Sequence, residues 1–195
     1  MESINWDNVN LPAKFLRRFQ KEIQTLINKP PEGITFVKQL KESEIEERLR
    51  EDRKKEEIDE RFKEDRNEGE KEPNFVFYFE VSIKPDKDSI YEDGIFHVIV
   101  KIPEDYPFSP PECFMKTPIY HPNIYEGNGH ICLNTLSKNW NSTMTLERLF
   151  LSIMMLLDLP NTDDFLDYDK AQHFIKDHDD FVKTAKQWVE KYAKE

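Results

Sequence analysis

Cys132 is the side chain from which chemistry can start. A cysteine thiolate is strongly nucleophilic and its thioester stays reactive toward amines, so cysteine suits the task of accepting an acyl group and handing it on. It lies in the stretch from Tyr120 to Trp140, Y-H-P-N-I-Y-E-G-N-G-H-I-C-L-N-T-L-S-K-N-W. His121-Pro122-Asn123 makes a rigid turn nine to eleven residues earlier, and Gly127 and Gly129 let the intervening loop bend back. The second cysteine, Cys113, sits in a strand-like run where a buried, inert thiol is expected.

Three chemistries compete for these residues. A thiol hydrolase would need a histidine base beside the thiol, with His121, His130 and His97 as candidates. A zinc site could draw on Cys113, His121, His130 and Cys132, although no C-x-x-C or H-x-x-x-H pair is present. In the third, the rigid turn aims the Asn123 amide at a thioester carbonyl on Cys132 and stabilises the oxyanion of an attacking amine, by roughly 3 kcal/mol in comparable sites. His121 is then structural, and Asp163 or Asp164 could orient the amine.

Several elements must position this stretch. From Leu11 to about Asn28, Phe15, Leu16, Phe19, Ile23, Leu26 and Ile27 recur at helical spacing, with Lys14, Arg17, Arg18 and Lys21 largely on the other face. That basic stripe is either a solvated face or a contact surface. Strand patterns follow at 34–37, 75–83, 95–102 and 112–116, connected so that successive strands pair as an antiparallel meander. Leu146 to Leu157 describes a helix apolar over most of its girth, expected to lie buried, with Thr145 as its N-cap. Pro160 stops it, and Thr162-Asp163-Asp164 is expected to cap the next element; two amphipathic helices, broken near 177–180, close the chain. Ile4, Trp6 and Val9 read as a flank lying on the first helix or as a docking peptide.

A chain of 195 residues is read as one domain, 1–195, and the charge sits mostly in one place. Between Lys41 and Glu72, 25 of the 32 residues are Asp, Glu, Lys or Arg, with too few apolar side chains to offset the entropy of ordering. This is an exposed, partly helical or disordered insertion, expected to be dispensable for thioester formation. A net charge of -11 argues against nucleic-acid binding, which needs excess Lys and Arg. Two widely spaced cysteines fit a reducing compartment, and the start MESINWDNVNLP lacks the basic and apolar runs of a signal peptide. No apolar run approaches the roughly 20 residues that span a bilayer. A cytoplasmic or nuclear protein without membrane association is expected.

The order of motifs closes the reading: Y-P-F-S-P-P at 106–111, H-P-N-I at 121–124, I-C-L-N at 131–134, Trp140, then P-N-T-D-D at 160–164. From about Lys14 to Lys194 the chain resembles the ubiquitin-conjugating enzymes, with 41–72 as an insertion. The resemblance implies an α+β UBC fold: an N-terminal helix, a four-stranded antiparallel β-meander and three further helices. It implies that Cys132 receives ubiquitin, or the Nedd/Rub modifier, from an activating enzyme and passes it to a substrate lysine or a ligase, with no cofactor and no metal. By the same resemblance Asn123 is the oxyanion or loop stabiliser, His121 the structural turn and Asp164 the residue that orients the lysine. Arg17, Arg18 and Lys21 match positions that meet the activating enzyme, and Phe108 matches a ligase contact. A catalytically silent module on the same fold is the alternative of another class. Trp140-Asn141-Ser142-Thr143 departs from the common Trp-Ser-Pro-Ala, as does Asn134 from the common Asp and Phe165 from a proline. The C-L-N triplet and Lys84-Pro85-Asp86 are similar to the Nedd/Rub branch.

Overall fold

The computed structural model describes residues 4–7, 9–41, 43–47, 50, 74–131 and 140–194. Alternation of side chains builds its centre. Strands β1 (Ile34–Gln39), β2 (Phe75–Ile83), β3 (Phe96–Pro103) and β4 (Glu112–Met115) form one antiparallel sheet in chain order, the expected meander. In the β2–β3 register Phe77 faces Ile102, Phe79 faces Val100, Val81 faces Val98 and Ile83 faces Phe96. All eight are buried, so one face of the sheet is continuous core. The next pairing sets Cys113 opposite Val100 on that same face.

Helix α1 (Ala13–Asn28) lays Phe19, Ile23 and Leu26 into the core, and α2 (Leu146–Asp158) adds Leu149, Phe150, Ile153 and Leu157. Thr145 caps α2 by accepting from the Arg148 N–H, as its sequence predicts. The helix is not buried all round, however. Met155 is 64% exposed and Leu159, just past its end, is 72% exposed, because the sheet covers one side of α2 only. A second expectation also changes: Asp167, not the 162–164 segment, caps α3 (Tyr168–Lys176) by accepting from Lys170 N–H. The 162–164 segment lies too early in the chain to reach that helix's first free N–H groups. Asp177 alone separates α3 from α4 (His178–Tyr192).

The N-terminal flank packs inward. Trp6 stacks on Phe77 with ring centroids 5.6 Å apart, and Asn5 and Gln39 exchange hydrogen bonds of 2.7 and 3.0 Å. That is the flank reading, not a free docking peptide. Residues 43–47 form a helical turn after β1, where Ile45 joins Leu40, Ile99 and Phe114 on the outer sheet face. Most of the expected 41–72 insertion lies outside the described residues.

Candidate active site

The turn His121-Pro122-Asn123 is fully buried at its two polar members, and its hydrogen bonds show why such residues are tolerated there. His121 Nε2–H donates to Leu156 O at 2.9 Å while Nδ1 accepts from the Asn123 N–H at 3.0 Å. Both ring nitrogens are thus committed in one neutral tautomer. Burial lowers the His121 pKa to about 4, so this ring has no free lone pair and no tendency to take a proton near neutrality. The base role for His121 in a hydrolase has no structural footing.

Asn123 ties a distant loop to the turn. Its Nδ2 donates to Asn161 O and to Asp164 O, both at 2.8 Å, and its Oδ1 accepts from the Asn161 N–H at 2.9 Å. An amide carries two N–H donors, and here each has an acceptor inside the chain. Pro122 O adds a second tie by accepting from Leu166 N–H at 2.9 Å and Asp167 N–H at 3.1 Å. The acidic loop 161–167 is therefore fastened at both ends to 122–123, which places Asp164 one hydrogen bond from Asn123.

A tight hairpin leads from Asn123 to Ile131, the residue before Cys132 in the sequence. Ile124 pairs with Ile131 across an antiparallel bridge, Tyr125 N–H donates to His130 O at 2.9 Å, and Ile131 N–H donates to Cys113 O at 3.0 Å. Gly129 makes the hairpin close: its φ is +78°, and a Cβ there would stand 1.9 Å from Met115 O. Gly129→Ala is expected to lower stability by roughly 3 kcal/mol, read from the urea midpoint, because strain and clash act together. Gly127 holds no positive φ. Cys132 follows Ile131 in sequence and, with Asn134, lies outside the described residues.

Cys113 is enclosed in the core, where burial pushes its thiol pKa well above the ordinary value. His97 Nδ1 meets Glu80 Oε1 at 2.7 Å on the outer sheet face. His130 packs edge-on against Phe114, and burial, followed by the nearby Lys101 charge, lowers its pKa. Among the described residues no group of three or more His, Cys, Asp or Glu converges as a metal site would require.

On α1 the three expected partner-binding cations part company. Arg17 and Lys21 are exposed, whereas Arg18 turns inward: its guanidinium donates to Ser142 O and Met144 O and meets Glu22 Oε1 at 2.7 Å. Glu22, half-way inside, also accepts from Tyr106 O–H at 2.8 Å and from Leu146 N–H at 2.9 Å, so it caps α2 from outside that helix. Arg18 lies one residue from the buried Phe19, on the edge of the helix that faces loop 142–144. Phe108 is 62% exposed and sits edge-on to Phe15, 5.1 Å away, beside the basic face of α1. Trp140 Nε1–H donates to Pro107 O at 2.9 Å and holds the adjoining loop.

Sequence reasoning missed the Arg18–Glu22 clamp and the role of Asn161. The signal for the first was present, since Glu22 is the single acid within α1 and follows Arg18 by four residues.

A family model described as "Ubiquitin-conjugating enzyme" matches residues 18–189. Ubiquitin-conjugating enzyme E2 13 of Schizosaccharomyces pombe is 32% identical over 177 residues, covering 91% of this chain and 97% of that protein. Two solved structures superpose well. One, from Plasmodium yoelii, gives a TM-score of 0.69 at 30% identity and covers 94% of this chain and 98% of its own. The other, a Toxoplasma gondii ubiquitin conjugating enzyme E2 domain, gives 0.66 at 28% identity, with 91% and 98% covered.

Proposed function

This chain belongs to the ubiquitin-conjugating enzyme family and has its UBC fold, and from that premise we propose that it carries ubiquitin as a thioester on Cys132. The thiolate attacks the carbonyl of the activating enzyme's ubiquitin thioester and expels that enzyme's thiol. A lysine amine, or a ligase thiol, then attacks the new carbonyl, and Cys132 leaves as thiolate while the amine proton passes to solvent or a nearby carboxylate. The single observation that carries this reading concerns the other thiol. The sequence holds two cysteines, and Cys113 is sealed in the core with a raised pKa, so Cys132 is the sulfur left to exchange an acyl group.

The rest of the site fits that assignment by division of labour. Asn123 holds the loop that bears Asp164, from which the carboxylate meets the incoming lysine. Exposed Arg17, Lys21 and Phe108 form the surface offered to the activating enzyme and to a ligase, while Arg18 shapes that surface from within. Ubiquitin is favoured as the modifier by the name of the fission-yeast relative. The Nedd/Rub modifier is the second reading, on C-L-N and Lys84-Pro85-Asp86.

Incubation with ATP and with each modifier plus its own activating enzyme, followed by a non-reducing gel, tests this. A thiol-sensitive adduct with ubiquitin, absent in Cys132→Ala, is the expected result. An adduct with the Nedd/Rub modifier alone selects the second reading, and none with either supports the silent binding module.

A further inference from the structure

A buried lysine in α3 lies between the two segments that flank the site. Lys170 is 4% exposed. Its ammonium reaches Glu126 Oε2 at 2.6 Å and Asp167 Oδ2 at 3.1 Å. It also lies 5.3 Å above the Tyr120 ring and 5.6 Å above the Trp188 ring. Two carboxylates and two aromatic faces offset the loss of its hydration, but a well-packed apolar side chain would fill such a place at less cost. What an apolar residue could not do is join the two acids.

Those acids belong to different parts of the site. Glu126 sits in the turn of the hairpin whose outgoing arm ends at Ile131, the residue before Cys132. Asp167 ends the loop 161–167 that Asn123 and Pro122 fasten, its N–H donating to Pro122 O. Glu126 is otherwise 58% exposed at its side chain, and the Lys170 ammonium is the cation that draws it against the body of the protein. We infer that Lys170 is a positioning residue for aminolysis: through Glu126 and Asp167 it sets the hairpin leading to the nucleophile against the loop that presents Asp164 to the incoming amine. The inference rests on the proposed Cys132 thioester. Lys170 touches neither the modifier nor the amine; it fixes the distance between the hairpin that ends at Ile131 and the loop that bears Asp164, and misplacement by about 1 Å at a reacting centre can reduce a rate by up to about a hundredfold.

The test separates positioning from plain stabilisation. Wild type, Lys170→Met, Glu126→Gln, the double variant and Lys170→Arg are charged with ubiquitin, and discharge to free lysine is followed in single turnover across lysine concentrations. Lys170→Met and Glu126→Gln are each expected to lower the saturating rate on the order of tenfold while the half-saturating lysine concentration and the charging rate stay near wild type. The double variant should lose no more than the worse single, and Lys170→Arg should recover most of the rate. Should Lys170→Met fail to fold, Glu126→Gln still decides, since its side chain is more than half exposed. Wild-type discharge in Glu126→Gln overturns the inference. So do additive losses that follow melting temperature and that arginine does not restore. A wild-type chain that takes up no thioester overturns the proposed function and this inference with it, whereas normal charging with unaltered variants overturns this inference alone.

Discussion

Asn123→Ala is expected to lower stability by about 3 kcal/mol and to slow discharge of a Cys132 thioester to lysine on the order of a hundredfold. The stability loss follows from three hydrogen bonds made by one buried amide, to Asn161 O, Asp164 O and Asn161 N–H. Removing that amide takes one partner from each of three half-buried backbone groups, at about 1 kcal/mol apiece. The rate loss has a separate origin. With the tie gone, loop 161–167 keeps its anchor at Pro122 O but loses the one next to Asp164. Asn123→Asp sharpens the argument. A carboxylate still accepts from Asn161 N–H yet offers two carbonyl oxygens a lone pair instead of a donor, so it should be no better than alanine. A direct oxyanion donor would behave differently: alanine would then cost rate and leave the urea midpoint where it was. Measuring both quantities on both variants distinguishes the two roles.

The sequence shows the sheet because its alternation is strong. Phe75 to Ile83 presents Phe77, Phe79, Val81 and Ile83 at a period of two, and the strand falls on those bounds. The α2 cap at Thr145 was equally legible. What alternation and periodicity do not encode is which side of an apolar helix meets nothing, and so Leu151 and Met155 emerge exposed from a segment expected to lie buried. The site divides in the same way. The turn His121-Pro122-Asn123 and its distance from Cys132 stand in the sequence, whereas the partners of Asn123 lie 38 and 41 residues further on and are backbone atoms. Backbone carbonyls carry no residue identity, so no motif points to them. The inward contacts of Arg18 are hidden for a related reason. Its neighbours Arg17 and Lys21 face solvent, and charge alone does not tell an arginine that greets a partner from one that closes a loop through Ser142 O and Met144 O.

His121 gives the molecule a defined acid limit. Its ring is neutral in the folded chain, with a pKa of about 4 set first by burial, while an unfolded chain returns it to the ordinary value near 6.5. Above pH 6.5 neither state holds the proton and the full stability remains. Between 6.5 and 4 the unfolded state gains a proton that the folded state refuses, so stability falls as pH falls, by about 3 kcal/mol in all from this one group. His130, also held neutral by burial, acts in the same direction. His121→Gln should therefore lose stability at pH 7.5, through imperfect replacement of the Leu156 and Asn123 bonds. From pH 6.5 to 4 its decline should be shallower than wild type by about 3 kcal/mol. Urea titrations at half-unit steps read this directly, and parallel slopes in the two proteins would refute it. The same variant speaks to mechanism. A ring with Nε2–H given to Leu156 O and Nδ1 filled by Asn123 N–H takes no proton from an attacking amine. The pH–rate profile of thioester discharge should accordingly keep its shape in His121→Gln even where the rate is lowered. Loss of a limb of that profile would restore His121 as a base and undo the division of labour that assigns the turn to structure and the chemistry to Cys132.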